Sequence, residues 1–322
     1  MDKQGLFIST SEYDFLRSNS DLMGIAYLVI SGSHGYGTNN DDSDMDLRGF
    51  LVEDKKYLLG CEVFEQFEDI PTDTVIYGLK KFFSLCRAAN PNTLELLGAD
   101  DDCVVIANEA GRLVRANADM FLSKRVISSF GNYATAQLRR LSNALCHDQF
   151  DAEQQEKHLR DTLAMGIKHF NRTYTSFDKS AIRLYIGDND ILADIELKGY
   201  PLRDFLGIYS EMHETMKTYD KQNHRNRKKD DAHLFKHAMH LIRLLITGTD
   251  ILNGIGIITK RKVEHDFLMD IRNGKFSFPE IFAIAEEYQT KFEAAAEKTL
   301  LPDEPDAARI ERLQMEIFEN CL

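Results

Sequence analysis

Apolar and polar positions change their period part-way along the chain. Up to residue 108 the apolar runs are short and are separated by clusters of Gly, Pro, Asn and Asp, as expected for strands mixed with short helices. Ser11–Arg17 reads as a short helix. Tyr27–Ser31 is a near-continuous apolar run and reads as a buried strand. Met45–Val52 reads as a second strand, antiparallel to the first across a Gly-rich loop, and Glu62–Glu68, with Val63 and Phe67 alternating, as a third. The turn Pro71-Thr72-Asp73 then leads into Thr74–Ala89, where Val75, Leu79, Phe82, Phe83 and Cys86 fall at helical spacing. Asn90-Pro91-Asn92 ends that helix, and Thr93–Leu97 begins another. Beyond residue 108 the pattern is almost wholly helical, with helices expected over 109–118, 123–147, 151–172, 201–218, 230–247, 260–272, 278–299 and 305–320. One interruption, Ile191–Leu197, alternates as a strand of a hairpin. The fold class expected is α+β, a small mixed-sheet domain over 1–108 followed by a mostly helical domain over 109–322.

Composition narrows the class without deciding it. The 322 residues suffice for one large domain or two modest ones. The net charge of −13 argues against sequence-independent duplex binding, which depends on Lys and Arg meeting phosphates. One basic run, Lys221 to Lys229, stands apart from this acidic background. It reads either as a guide for a polyanion or as a solvated loop, and no aromatic residue interleaves to stack on bases. The five cysteines are scattered, with no Cys-x-x-Cys pair, so a zinc site or disulfide framework is not expected and a reducing, cytoplasmic location is. No apolar run approaches bilayer-spanning length, so no membrane partner is expected.

The chemistry concentrates in residues 31–50. Gly32-Ser33 follows the first strand, Gly35 and Gly37 follow closely, and two carboxylates stand at i and i+2, Asp44 and Asp46. Gly32 and Gly37 have the separation of a phosphate-binding P-loop, but Thr38-Asn39 follows where that loop needs a lysine. A dinucleotide turn needs a glycine three residues beyond Gly37, and Asn40 stands there. Asp42, Asp44, Asp46 and Glu53 match four positions of a calcium loop, but Leu47 occupies the position that requires glycine. An acidic surface turn explains Asn39 to Asp42 but not two carboxylates alternating inside an apolar strand. A nucleotidyl-transfer site uses every piece. Gly32 lets a triphosphate approach the backbone, Ser33 offers a hydroxyl and an N–H, and a short helix after Gly35 adds free N–H groups. Asp44 and Asp46 then hold divalent cations, Mg2+ or Mn2+.

Gly32-Ser33 followed about ten residues later by Asp44-x-Asp46 resembles the signature of the DNA polymerase β-like nucleotidyltransferase superfamily. Gly35-Tyr36-Gly37 and Ser43-Asp44-x-Asp46-x-x-Gly49 are similar to its RNA-repair-pathway subgroup. So are Asp73 with Tyr77, Leu79-Lys80-Lys81-Phe82, Asn90-Pro91-Asn92 and Glu95-Leu96-Leu97, followed by Lys236-His237 to His240 with Arg243-Leu244-Leu245. Ile271-Arg272-Asn273-Gly274-Lys275 and Leu301-Pro302-Asp303-Glu304-Pro305-Asp306 continue the likeness. The resemblance implies a polymerase-β-like catalytic domain, an NTP substrate and a hydroxyl acceptor, an RNA end by the family's name.

The resemblance also points to Asp73 as the third carboxylate of a two-metal site; its competing reading is an N-cap on the helix expected after it. Arg48, on the face of Asp46, either meets a phosphate or balances the acidic cluster. In the helix over 230–247, apolar nearly all round, Lys236, His240 and Arg243 form one stripe. That stripe either faces a cleft holding the nucleotide's phosphates or makes internal salt bridges. The competing functions are a nucleotide-binding regulatory protein without catalysis and a transferase acting on a protein or small molecule.

Overall fold

Five of the seven residues of Ile25–Ser31 (β1) are buried, so this strand is covered on both faces and lies inside a sheet. The protein is seen here as a computed structural model that describes residues 10–41, 43–149, 152–178, 180–186, 191–225 and 231–321. β1 leads into a short helix, Gly32–Tyr36 (α1), and Asp46–Leu51 (β2) returns antiparallel beside it. Gln66–Asp69 (β3) and Thr74–Gly78 (β4) form a hairpin, and β4 pairs with β2 in parallel. Leu79–Arg87 (α2) and Pro91–Leu97 (α3) follow, and Val104–Ala107 (β5) closes the far edge against β1. Among the described residues the sheet has five strands in the order β3-β4-β2-β1-β5, a mixed sheet as expected. Around it pack Tyr13, Leu22, Leu28, Ile30, Leu47, Leu51, Ile76 and Cys103 as one core cluster. The edge strand β3 turns Gln66 and Glu68 outward, which keeps it from pairing with another chain.

The remainder is mostly helical: Glu109–Ala116 (α4), Arg125–Gln149 (α5), Ala152–Thr173 (α6), the hairpin Ile182–Ile186 (β6) with Ile191–Ile195 (β7), and Leu202–Arg225 (α7). Asp231–Leu252 (α8), His265–Arg272 (α9), Phe278–Lys298 (α10) and Ala307–Cys321 (α11) complete the chain. Among the described residues, no helix is long and apolar enough to cross a membrane.

The contacts divide the chain into two compact units, and not at residue 108. One unit is Met1–Gln137 with Phe235–Leu322, and the other is Leu138–Leu234. The C-terminal helices return to the sheet-bearing unit because hydrogen bonds tie them there. Lys124 N–H donates to Pro302 O at 2.8 Å, and Asp306 N–H to Met120 O at 3.1 Å. Thr259 Oγ1 donates to Gly98 O at 2.9 Å, a link across 161 residues. The second unit has its own small core of Phe170, Ile182 and Ile208.

One element departs from its predicted form. Thr74–Ala89 is not a single helix: β4 occupies its first five residues and α2 begins at Leu79. Val75 matched helical spacing by coincidence, while the burial of Thr74, Ile76 and Gly78 alternates as in a strand. The break is fixed by Glu53, a buried carboxylate that accepts from Leu79 N–H at 3.0 Å and Lys80 N–H at 3.1 Å. A negative charge at a helix N-terminus satisfies amide donors left free by the first turn. Glu53 therefore caps α2 and is not the twelfth ligand of a calcium loop. Asp42, the first position of that loop, lies outside the described residues.

Candidate active site

The antiparallel register of β1 and β2 sets Ser31 opposite Asp46. At the end of β1 the chain passes at once into α1, and Gly32 takes φ +60, a left-handed conformation that favours glycine. The reason is visible beside it. A Cβ on Gly32 would stand 1.7 Å from Asp46 Oδ2, so the Asp46 carboxylate fills the space a side chain would take. Gly32→Ala is therefore expected to lower the unfolding free energy by about 1–3 kcal/mol, read from urea denaturation. An unchanged midpoint would show that the carboxylate does not lie against Gly32.

Asp46 has a second carboxylate as neighbour. Asp73 closes the β3–β4 turn with φ +43, rare outside glycine, and the parallel register that pairs Leu47 with Thr74 sets it beside Asp46. Burial, then the hydrogen bond and charge of Asp73, push the Asp46 carboxyl up to about 6, against the pull of Arg48 and Lys236. Burial also pushes Asp73 up, but hydrogen bonds from Arg48 and Asp46 outweigh it and hold Asp73 below the usual carboxylate range. The two move apart, as neighbouring carboxyls that repel each other do. Arg48 Nη2 donates to Asp73 Oδ1 at 2.7 Å, and its Nη1 donates to the Asp73 carbonyl. Of the two readings of Arg48, the balancing of an acidic cluster is the one seen. Asp73 precedes a strand, so the N-cap reading lapses.

The other expected site residues separate. Asp44 lies before β2, which begins at Asp46, so the two do not alternate within one strand. It is exposed, and among the described residues no three His, Cys, Asp or Glu side chains gather as a metal-ligand group. The helix expected after Gly35 begins earlier, at Gly32, and Ser33 in its first turn is buried. Lys236 is exposed and close enough to Asp46 to act on its charge. His240 is kept neutral: burial first, then the positive charges of Arg243, Lys236, His237 and Arg272, push it down to about 3. Its ring stands edge-on to Tyr36, with centroids 6.3 Å apart.

Arg243 is not free to bind a nucleotide. It is 5% exposed, and its Nη1 and Nη2 donate to Glu95 Oε1 at 2.6 Å and Oε2 at 3.3 Å. Its guanidinium lies 3.5 Å from the Tyr36 ring centroid, while Tyr36 OH donates to Glu95 Oε2 at 2.7 Å. Burial without a partner would strand its charge, so the salt-bridge reading holds for this member of the stripe. The triad of Tyr36, Glu95 and Arg243 thereby ties α1 to α3 and α8. Sequence reasoning did not single out Glu95, although a carboxylate inside Leu94-Glu95-Leu96-Leu97 signals a buried partner. The basic run 221–229 lies within the described residues only to Arg225, as backbone of α7; 226–229 are outside them.

The stretch that carries β1 to β5, Gly32 and both paired carboxylates also has known relatives. Residues 12–151 match RlaP, the RNA repair pathway DNA polymerase beta family. Over this segment the likeness to polymerase-β-like nucleotidyltransferases of the RNA-repair subgroup is shown, and it supports nucleotidyltransferase-type function in general terms. The RlaP match includes Glu95 but ends before Lys236, Arg243 and Arg272. Comparison with curated proteins and comparison with solved structures each return no match.

Proposed function

We propose that the protein is a metal-dependent nucleotidyltransferase that moves a nucleoside monophosphate from an NTP to a hydroxyl acceptor, with an RNA end as the acceptor to try first. The observation that carries this reading is the carboxylate pair Asp46–Asp73, set side by side by the register of β2 and β4 and lying against Gly32 at the end of β1. Two neighbouring carboxylates are a site a divalent cation can hold, its charge relieving their mutual repulsion. The pair therefore fits Mg2+ or Mn2+, and Asp44, two positions before Asp46 in the chain and exposed, is the additional ligand that a bound cation would draw in. A bound cation would supply Lewis-acid stabilisation of the phosphates and a lowered acceptor-hydroxyl pKa.

The chain's own groups account for the rest. Gly32 leaves backbone accessible beside Asp46, and α1 follows immediately with Ser33 in its first turn. Arg48 fixes the Asp73 carboxylate, so one oxygen direction of the pair is set before substrate arrives. Lys236 places a positive charge near Asp46 that favours the β- and γ-phosphates. The neutral His240 sits among cations, in a positive potential suited to an anion. The acceptor oxygen attacks the α-phosphorus, the bond to the bridging oxygen breaks and pyrophosphate leaves. The acceptor's proton passes to solvent or to the nearest carboxylate.

A second reading, a nucleotide-binding regulator without catalysis, draws on Asp44 standing apart from the pair. The two separate on transfer of label from an α-labelled NTP to RNA 3′ ends, RNA 5′ ends, protein and small hydroxyl compounds. Covalent label on any acceptor, dependent on Mg2+ or Mn2+, supports the transferase. Nucleotide binding with no transfer to any of them supports the regulator.

A further inference from the structure

Between the end of α1 and the start of β2, from Gly37 to Met45, the described residues form no helix or strand. That segment carries Asp44, yet it is held at several points. Within it, Asn40 and Ser43 bond to each other three ways: Ser43 N–H to Asn40 O at 3.1 Å, Asn40 N–H to Ser43 Oγ at 2.9 Å, and Ser43 Oγ to Asn40 Oδ1 at 2.6 Å. From α1, His34 Nε2 meets Ser43 O at 3.0 Å. From the other end of the chain, His265 Nε2 meets Gly37 O at 2.9 Å. Arg272, the last residue of α9, makes the widest connection. Its Nη1 donates to Thr38 O, and its Nη2 donates to Asn40 Oδ1 at 3.2 Å and Ser43 Oγ at 3.1 Å.

These bonds converge on Ser43, and the next residue is Asp44. Holding one irregular residue costs about 1–2 kcal/mol of backbone entropy, so a nine-residue segment without such ties would leave Asp44 spread over many positions. Arg272 is suited to the task because its planar fork reaches three acceptors at once, which a lysine does not. All three acceptors are neutral oxygens, so the guanidinium charge is not cancelled by them and adds to the positive potential at His240. Resting on the cation-binding reading of Asp46 and Asp73, we propose that Arg272 is a positioning residue. Through Ser43 it sets where Asp44 stands, and so couples the C-terminal helix α9 to cation affinity at a site whose other carboxylates lie more than 190 residues earlier.

The test is Mn2+ binding by the full chain without nucleotide, read from loss of the free-ion electron paramagnetic resonance signal. Arg272→Gln is expected to raise the Mn2+ Kd about tenfold, as for the loss of a charge-assisted hydrogen bond. Ser43→Ala is expected to raise it by a few-fold, and Arg272→Lys to fall between Arg272→Gln and the parent. The deciding comparison is the double variant Arg272→Gln/Asp44→Ala, expected to bind no more weakly than Asp44→Ala alone, because Arg272 acts through Asp44. Additive losses, or an unchanged Kd in both Arg272→Gln and Ser43→Ala, overturn the proposal. If Arg272→Gln fails to fold, judged by thermal melting, Ser43→Ala with its own Asp44→Ala double variant decides on the same criterion. Failure of the parent protein to bind Mn2+ overturns the reading of the Asp46–Asp73 pair itself. That result differs from a parent that binds and variants that bind equally well.

Discussion

Asp46→Asn is expected to reduce nucleotidyl transfer by about three orders of magnitude or more while raising the melting temperature near neutral pH. The first effect follows from losing a cation-binding carboxylate whose place in the Asp46–Asp73 pair nothing else fills. The second follows from linkage. The Asp46 carboxyl is pushed up to about 6 in the folded protein, above the ordinary value near 3.9 that an unfolded chain shows. A group raised on folding contributes stability that is fully present below its unfolded pKa and is lost as pH rises through the folded one. Near neutral pH the native protein has lost that contribution, and an asparagine, which carries no charge, has not. The asparagine amide also brings a donor to the side of Asp73. The expected gain is about 2–4 °C for a chain of this size, shrinking to nothing as pH falls towards the unfolded value. Cation-dependent activity of the parent should fall as pH drops through about 6, where protons compete for Asp46. Near-parental turnover in Asp46→Asn contradicts the assignment of the site. A lowered melting temperature with activity lost would contradict the electrostatic account of the pair.

Arg243→Met is expected to cost about 3–5 kcal/mol of unfolding free energy, because it leaves Glu95 buried and unpaired. Glu95 is 3% exposed, and its other side-chain partner here is the Tyr36 hydroxyl. Glu95→Leu should cost a similar amount by stranding the guanidinium. The triple change Tyr36→Phe/Glu95→Leu/Arg243→Met removes every member of the network together, and should recover to within about 1–2 kcal/mol of the parent. Chemical denaturation of the three variants reads this directly. If Arg243→Met keeps full stability and only weakens NTP binding, Arg243 is a substrate ligand and the buried triad is not a structural tie.

Much of this arrangement was legible in the order of residues. β1 announced itself as an unbroken apolar run, and the Gly32-Ser33 turn and returning β2 followed from glycine and alternation. The long C-terminal helices were readable because each buries one face at helical spacing. What escaped was whatever depends on residues far apart in the chain. The limit of α2 was hidden because Glu53, 26 residues earlier, caps it. The N-cap alternative to Asp73 as a metal ligand stood for the same reason. Lys236, His240 and Arg243 share a helical stripe, yet one is exposed, one is a half-buried neutral imidazole and one is buried and paired with Glu95. Spacing places side chains on a face; only the tertiary partners decide what that face meets.

Pyrophosphate release from γ-labelled NTP, with and without Mg2+, by the parent protein, Asp46→Asn and Asp73→Asn bears most directly on the Asp46–Asp73 pair as a nucleotidyl-transfer centre. The expected result is labelled pyrophosphate from the parent, matched by label on an acceptor in a parallel reaction with α-labelled NTP, and none from either variant. Labelled orthophosphate in place of pyrophosphate, or equal release from Asp46→Asn and the parent, would contradict it.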